Sequence, residues 1–431
     1  MNNGVMYPGF FRAASKITDI FPHAGSSFLD LTILPVAGSN LLATHKLRGA
    51  RRIVEEVGRF DRLLVVSDLN IGDALFSQAL VSGLRDFFPA AVIDLAINRT
   101  ASGVVIGNPE ITNVLPVFTG APFPSKEDLA SLSHITGSSN YNLVISNSPY
   151  FELKDFPSSA KNVLDYSPFA AVLVNAFKND RETAHVIYQL QRIIHLLFEG
   201  IAEERRFQKY LGVRAMLPIE AIERARTFLR KNGIGESDRL VLINPDTSSR
   251  FTTIPLDVLS ELLRKISTLG CPILLGSGYI DLGKEKRLLE TLSDEEKKSV
   301  TVVAPMIGLE VYSALIDFSH VFITGDSGPL HIAAARKYLR DGYSALNNQT
   351  ELISIFGATP ARTYAYDSMI PGFFPANQDA PSHAHVSNSP CRNVTCVNKM
   401  GKTCRRTRCF EFVDVDAIVS DVEKALAREL N

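Results

Sequence analysis

Two series of short, unbroken apolar runs, each run followed by a polar loop and a stretch of helical periodicity, constrain this chain more than anything else in it. "RLLVV" (62–66), "AVIDLAI" (91–97), "NVLPV" (113–117) and "YNLVISN" (141–147) form the first series. "RLVLINP" (239–245), "PILLGSG" (272–278), "SVTVVAP" (299–305), "HVFITGDSG" (320–328) and "LISIFGATP" (352–360) form the second. A strand that is apolar on both faces must be covered on both, and strands alternating with helices meet that demand in a parallel, doubly wound sheet. Two such series in 431 residues predict an α/β protein of two Rossmann-like domains. The expected divisions are an N-terminal extension (1–60), a first domain (61–215), a connection that is charged and helical (216–236), a second domain (237–412) and a C-terminal helix (413–431).

Ligands of doubly wound sheets bind beyond the carboxyl ends of the strands, and two facing domains would make a cleft there. The polar clusters of this chain fall at those ends: "SDLNIGD" after the first strand, then "PDTSSRFTT", "SGYID" and "GDSGPLH" in the second series. "GDSGPLHIAAA" (325–335) reads as strand, tight turn and helix, with Asp326 or Ser327 able to cap the helix and Pro329 suited to its first turn. Unpaired N–H groups and the positive end of the helix dipole meet at such a terminus, which can hold a phosphate or diphosphate without a basic side chain.

Composition excludes several classes. The net charge of −1 gives no general reason to expect nucleic-acid binding. No stretch has the roughly 18 apolar residues of a membrane span, and the N-terminus lacks a secretory pattern, so the expected location is cytoplasmic. Within residues 1–60, "GFFRAASKITDIF" and "FLDLTILPVAGSNLLATHKLRGARR" suit either an extra packed segment or peripheral contact with the inner face of the cytoplasmic membrane. No Walker loop, Gly-x-Gly-x-x-Gly stretch after a strand or Ser-His-Asp order points to kinase, dehydrogenase or hydrolase chemistry.

The run Asp326, Ser327, Gly328, Pro329, Leu330, His331, with Ala333 to Ala335, resembles the C-terminal pattern of glycosyltransferase family 9, the ADP-heptose-dependent heptosyltransferases of lipopolysaccharide assembly. The strand and Gly-Asp pair of "LLVVSDLNIGDALFSQALVSGLRDFFP" resemble its N-terminal pattern, "GNPEITNVLPV" its next turn and strand, and the similarity spans about residues 61–428. The resemblance implies a GT-B fold and inverting transfer of a heptose or related sugar from an ADP-linked donor to a saccharide or glycolipid acceptor, with no cofactor required for catalysis. It implies Asp73 as general base, and Gly72, Asp326, Ser327, Gly328, Pro329 and His331 as donor-site residues. A capsule, O-antigen or protein glycosyltransferase using another nucleotide sugar, and a degenerate homologue acting as binder or scaffold, remain open alternatives.

Some positions depart from the family pattern. In "NPDTSSRFTTIP", Thr247, Ser248 and Ser249 keep the hydroxyls expected at donor phosphates, but the usual lysine falls on Thr252 and the usual tryptophan on Ile254. Arg250 can supply the missing charge. Glu285, or alternatively Asp281, stands where the family contacts the nucleotide ribose. Cys391, Cys396, Cys404 and Cys409 form a cluster in a basic segment; four thiolates there can hold a structural Zn or Fe, or stand as free thiols or disulfides. His383 and His385, just before it, either join that site or are solvated. Cys271 reads as a core residue and His185 as a helix-end residue or a cleft contact.

Overall fold

The computed structural model describes residues 36–68, 70–119, 124–148, 162–164, 185–201, 213–247, 252–276, 283–304, 307–337, 349–357, 359–366, 381–388 and 408–428. The chain divides into two compact units, Met1–Val213 with Lys399–Gly401, and Arg214–Asn398 with Lys402–Asn431.

The first unit opens with α1 (Val36–Val57) and continues β1 (Arg62–Ser67), α2 (Ile71–Phe87), β2 (Val92–Asn98), α3 (Arg99–Val105), β3 (Asn113–Phe118), α4 (Lys126–Ser138), β4 (Leu143–Ser146), β5 (Val163–Leu164) and α5 (Val186–Phe198). Its strands are all parallel, in the order β3-β2-β1-β4-β5. The register of β1 runs from Arg62 opposite Val92 to Ser67 opposite Ile97. β1 is buried from Leu63 onward, as its unbroken apolar run requires.

Helix α2 packs on α5, and Gly83 is what lets the two approach: a Cβ at Gly83 would lie 3.0 Å from Cβ of Ile194. Helix α1 also packs on α5, burying Ala50 and Val54, while Arg51 donates a 2.7 Å hydrogen bond to the carbonyl of Glu199. This part of the N-terminal extension is therefore a packed element of the unit. Phe60, Phe88 and Phe198 close the same end of the unit, with ring centroids 4.6–5.2 Å apart.

The second unit contains α6 (Ile219–Lys231), β6 (Val241–Asn244), α7 (Leu256–Ser267), β7 (Ile273–Leu275), α8 (Lys284–Glu290), α9 (Asp294–Lys297) and β8 (Val300–Val302). There follow α10 (Leu309–Phe318), β9 (Val321–Gly325), α11 (Gly328–Lys337), β10 (Glu351–Phe356), α12 (Ala361–Tyr364), β11 (Ser382–Val386) and α13 (Val415–Ala427). The six parallel strands lie in the order β11-β10-β9-β6-β7-β8. Val241, Ile243, Ile273, Leu275, Val321 and Ile323 present one face of this sheet to α7 and α13, and Cys271 belongs to that core. Of the stretch expected to connect the domains, Ile219–Lys231 forms α6, which packs against α10.

Arg336, near the end of α11, is buried. Its Nε lies 2.8 and 2.7 Å from the two carboxylate oxygens of Asp317 on α10, and its Nη1 donates to the carbonyl of Ala215 at 2.6 Å. A guanidinium satisfied on several sides is the form in which a buried charge is tolerated. It ties α11 both to α10 and to the segment where the chain enters this unit.

Candidate active site

In each sheet the chain reverses its direction of winding once, and the loops on either side of that reversal are neighbours. In the first unit the reversal lies between β1 and β4. The polar residues leaving these strands, Ser67 and Asp68 from β1 and Asn147 and Ser148 from β4, are all buried. Asn147 donates to Ser77 Oγ at 2.9 Å, and Ser77 donates in turn to the carbonyl of Asp73 at 2.9 Å. The end of β4 thereby fixes the first turn of α2. Asp73 is the acidic residue of that turn and is half-buried, Gly72 beside it is buried, and Asn70 at the N-cap makes no side-chain cap hydrogen bond. A carboxylate so placed is stabilised by the helix terminus.

Nothing in the sequence singles out Asp68. Burial pushes its carboxyl up from 3.8 to about 6, opposed by a hydrogen bond from Ser148 and assisted by the charge of Asp128. Burial of Asp128 would raise its own carboxyl, but hydrogen bonds from Ser125 and Thr119 outweigh that and hold it below its ordinary value. Among the described residues, Asp68 Oδ1 and the hydroxyls of Ser67 and Ser146 have no hydrogen-bond partner. The folded state holds the Asp68 proton more tightly than the unfolded state does, so its contribution is intact below pH 3.8 and is lost as pH rises through about 6. Above that, ionised Asp68 costs the fold up to about 3 kcal/mol. Asp68→Asn is therefore expected to raise the unfolding free energy at pH 7.5 by about 2–3 kcal/mol and to change it little near pH 4, as denaturant titrations at both pH values would show. Destabilisation at both would refute the assignment.

In the second unit the reversal lies between β6 and β9, which brings the loop after Asn244 beside "DSGPLH". Asn244 joins them: its Nδ2 reaches Thr324 Oγ1 at 2.8 Å, the Asp246 carbonyl at 3.0 Å and Ser327 Oγ at 3.3 Å. Thr324 and Ser327 hydroxyls are 2.9 Å apart, and Ser327 Oγ accepts from the Leu330 amide at 3.3 Å. Ser327 rather than Asp326 therefore caps α11, with Gly328 and Pro329 in its first turn. Thr247 Oγ1 lies 2.7 Å from the hydroxyl of Thr252 and 2.9 Å from that of Thr253. Gly325 lets the two loops touch, because a Cβ there would stand 2.7 Å from the carbonyl oxygen of Thr252.

His331 is buried on the first turns of α11, with Nε2 3.5 Å from Asp326 Oδ1 and Nδ1 3.1 Å from Tyr366 Oη. Glu285 is buried in the first turn of α8, and its Oε1 has no partner among the described residues. The second unit thus assembles Thr247, Asp326, Ser327, Gly328, Pro329 and His331 at one sheet end. Ser248, Ser249, Arg250 and Asp281 lie outside the described residues, as do Cys391, Cys396 and Cys404.

A family model described as glycosyltransferase family 9 (heptosyltransferase) matches residues 207–400. Lipopolysaccharide heptosyltransferase 3 of Escherichia coli is 24% identical over 299 residues, which cover 67% of this chain and 81% of that protein. This chain is a glycosyltransferase similar to family 9. Among solved structures, a family 9 glycosyl transferase from Veillonella parvula superposes with a TM-score of 0.61 at 16% identity, over 85% of this chain and 97% of that one. The ADP-heptose lipopolysaccharide heptosyltransferase II of E. coli gives 0.56 at 15%, over 85% and 98%. At these identities the likeness concerns the fold, the GT-B type with two Rossmann-like domains.

In this glycosyltransferase Cys409 is buried beside Phe410 in the apolar core of the second unit. Among the described residues no group of three or more His, Cys, Asp or Glu is arranged to hold a metal ion. His383 and His385 lie on β11 rather than in a loop: His383 Nε2 is 2.8 Å from Glu351 and His385 Nε2 is 3.1 Å from Asp421. His185 is a helix-end residue, capping α5 through Nδ1, which accepts from the Ile187 amide at 3.4 Å. No helix among the described residues is long and apolar enough to cross a membrane.

Proposed function

We propose that this enzyme transfers a heptose, or a closely related sugar, from an ADP-linked donor to a saccharide of the lipopolysaccharide core type, with inversion at the anomeric carbon. The observation that carries the reading is the start of α11 at the β6/β9 reversal, capped by Ser327 and flanked by Asp326 and His331. The donor's diphosphate lies against that terminus, held by backbone N–H groups of the first turn. An acceptor hydroxyl attacks the anomeric carbon, Asp73 takes its proton, and the bond from that carbon to the β-phosphate oxygen breaks, leaving its electron pair on ADP. The charge that grows on this leaving group is what the α11 terminus stabilises, so the interaction strengthens toward the transition state. Nothing in this scheme calls for a metal at the reacting centre. Thr247 and Glu285 contribute a hydroxyl and a carboxylate to the donor side, and Gly72, Ser248, Ser249 and Arg250 are further donor-binding candidates by their resemblance to the family pattern.

A second reading, a different nucleotide sugar as donor, draws support from Thr252. It stands where the family has a lysine, and it is buried against Thr247. Incubation with ADP-heptose and a truncated lipopolysaccharide core separates the two. The first reading expects a product one heptose heavier and stoichiometric ADP. Turnover with UDP-, GDP- or CDP-linked sugars instead would establish the second.

A further inference from the structure

The environment of His331 fixes more than its position. A neutral imidazole carries one N–H and one lone pair, and here the two ring nitrogens face different partners. Nε2 lies 3.5 Å from Asp326 Oδ1, and Nδ1 lies 3.1 Å from Tyr366 Oη. A lone pair on Nε2 would confront a carboxylate oxygen, so the hydrogen belongs on Nε2. Nδ1 then holds the lone pair of the neutral ring and accepts from the phenol. Tyr366 is well placed to donate: it is 1% exposed, it lies two residues beyond α12 on the chain leaving β10, and its ring meets the imidazole at 64° with centroids 5.8 Å apart. His331 itself is 4% exposed, so water does not readily replace a lost partner.

We propose that Tyr366 is a positioning residue that holds His331 as the Nε2–H tautomer, so that this hydrogen faces Asp326 and the bound donor's anionic oxygens. This inference rests on the donor site proposed above. The opposite tautomer would turn a lone pair toward the same carboxylate and toward the diphosphate, weakening the anion site without altering the helix that builds it. The tyrosine comes from a segment distant in sequence from "DSGPLH", so the β10 exit loop and the β9–α11 turn act on one donor together.

The test uses the full chain labelled with 15N-histidine, read by two-bond 1H–15N correlation, with the His331 signal assigned by its loss in His331→Gln. In the ligand-free wild type the expected pattern is protonated Nε2 with Nδ1 as acceptor. Tyr366→Phe removes one oxygen from a buried ring and is expected to give a mixture of tautomers and about a tenfold weaker ADP dissociation constant, the cost of one hydrogen bond. A wild-type His331 protonated on Nδ1 alone would overturn the proposal whether or not the variant folds. So would a folded Tyr366→Phe variant, checked by its unfolding midpoint, with tautomer and ADP affinity unchanged. The tautomer decides this inference and ADP binding by the wild type decides the donor reading, so the two failures are told apart.

Discussion

Replacing Asp73 by asparagine is expected to slow sugar transfer by about 10²–10⁴-fold, the usual worth of a positioned general base, while nucleotide affinity stays within about threefold of wild type. Asparagine keeps the size of the side chain at the start of α2 and leaves the carbonyl of residue 73 to accept from Ser77, but it cannot take a proton. The converse pattern is expected at the other half of the machinery. Asp326→Asn and His331→Gln should weaken nucleotide binding, because both residues stand at the α11 terminus. Single-turnover rates paired with calorimetric affinities separate the two patterns. Equal loss of nucleotide binding in all three variants would refute the division of labour.

Gly325→Ala is expected to destabilise the second unit by about 1–3 kcal/mol, the range for forcing an extra methyl into packed structure, and to weaken nucleotide binding along with it. The clash is with a backbone carbonyl, that of Thr252 at 2.7 Å, which cannot rotate away as a flexible side chain would. Relief requires β9 and the loop after β6 to separate. That movement pulls apart the bonds from Asn244 to Thr324 and Ser327, which seat the α11 terminus. Gly137→Ala is the control: its Cβ meets nothing within 4 Å on α4, and alanine there should be neutral or stabilise by up to about 1 kcal/mol. Thermal unfolding of both variants, with ADP titration of the folded protein, checks this. A Gly325→Ala variant as stable as wild type would show that the two loops are not in the contact described.

Strands β1–β4 and β6–β10 are legible because a strand covered on both faces must be apolar throughout, and "RLLVV" or "HVFIT" has no other economical reading, whereas β5 and β11 carry no such run. The turn "DSGPLH" is legible as a helix start because capping is local: Ser327 and Leu330 are three residues apart. Strand order is not local. That β6 and β9 adjoin, so that Asn244 bonds to residues 80 positions later, follows from tertiary packing and leaves no trace in either segment. Tyr366 escapes a reading of the sequence for the same reason, since its partner lies 35 residues earlier. Asp68 looks like any polar residue in a loop; only its burial distinguishes it. His383 and His385 read as loop residues because β11 carries no apolar run. It is the last strand in the sheet order, and the two histidines find Glu351 and Asp421 instead of a greasy face.

The central claim is that the α11 terminus of this chain holds the diphosphate of an adenine nucleotide sugar. Isothermal titration of the purified protein with ADP and ADP-heptose, beside UDP, GDP and CDP and their sugars, addresses it most directly. The account predicts saturable binding of the adenine ligands, at least about tenfold tighter than the others, and lost or weakened in Asp326→Asn. Preference for another nucleotide, or no binding by any of them, would contradict it.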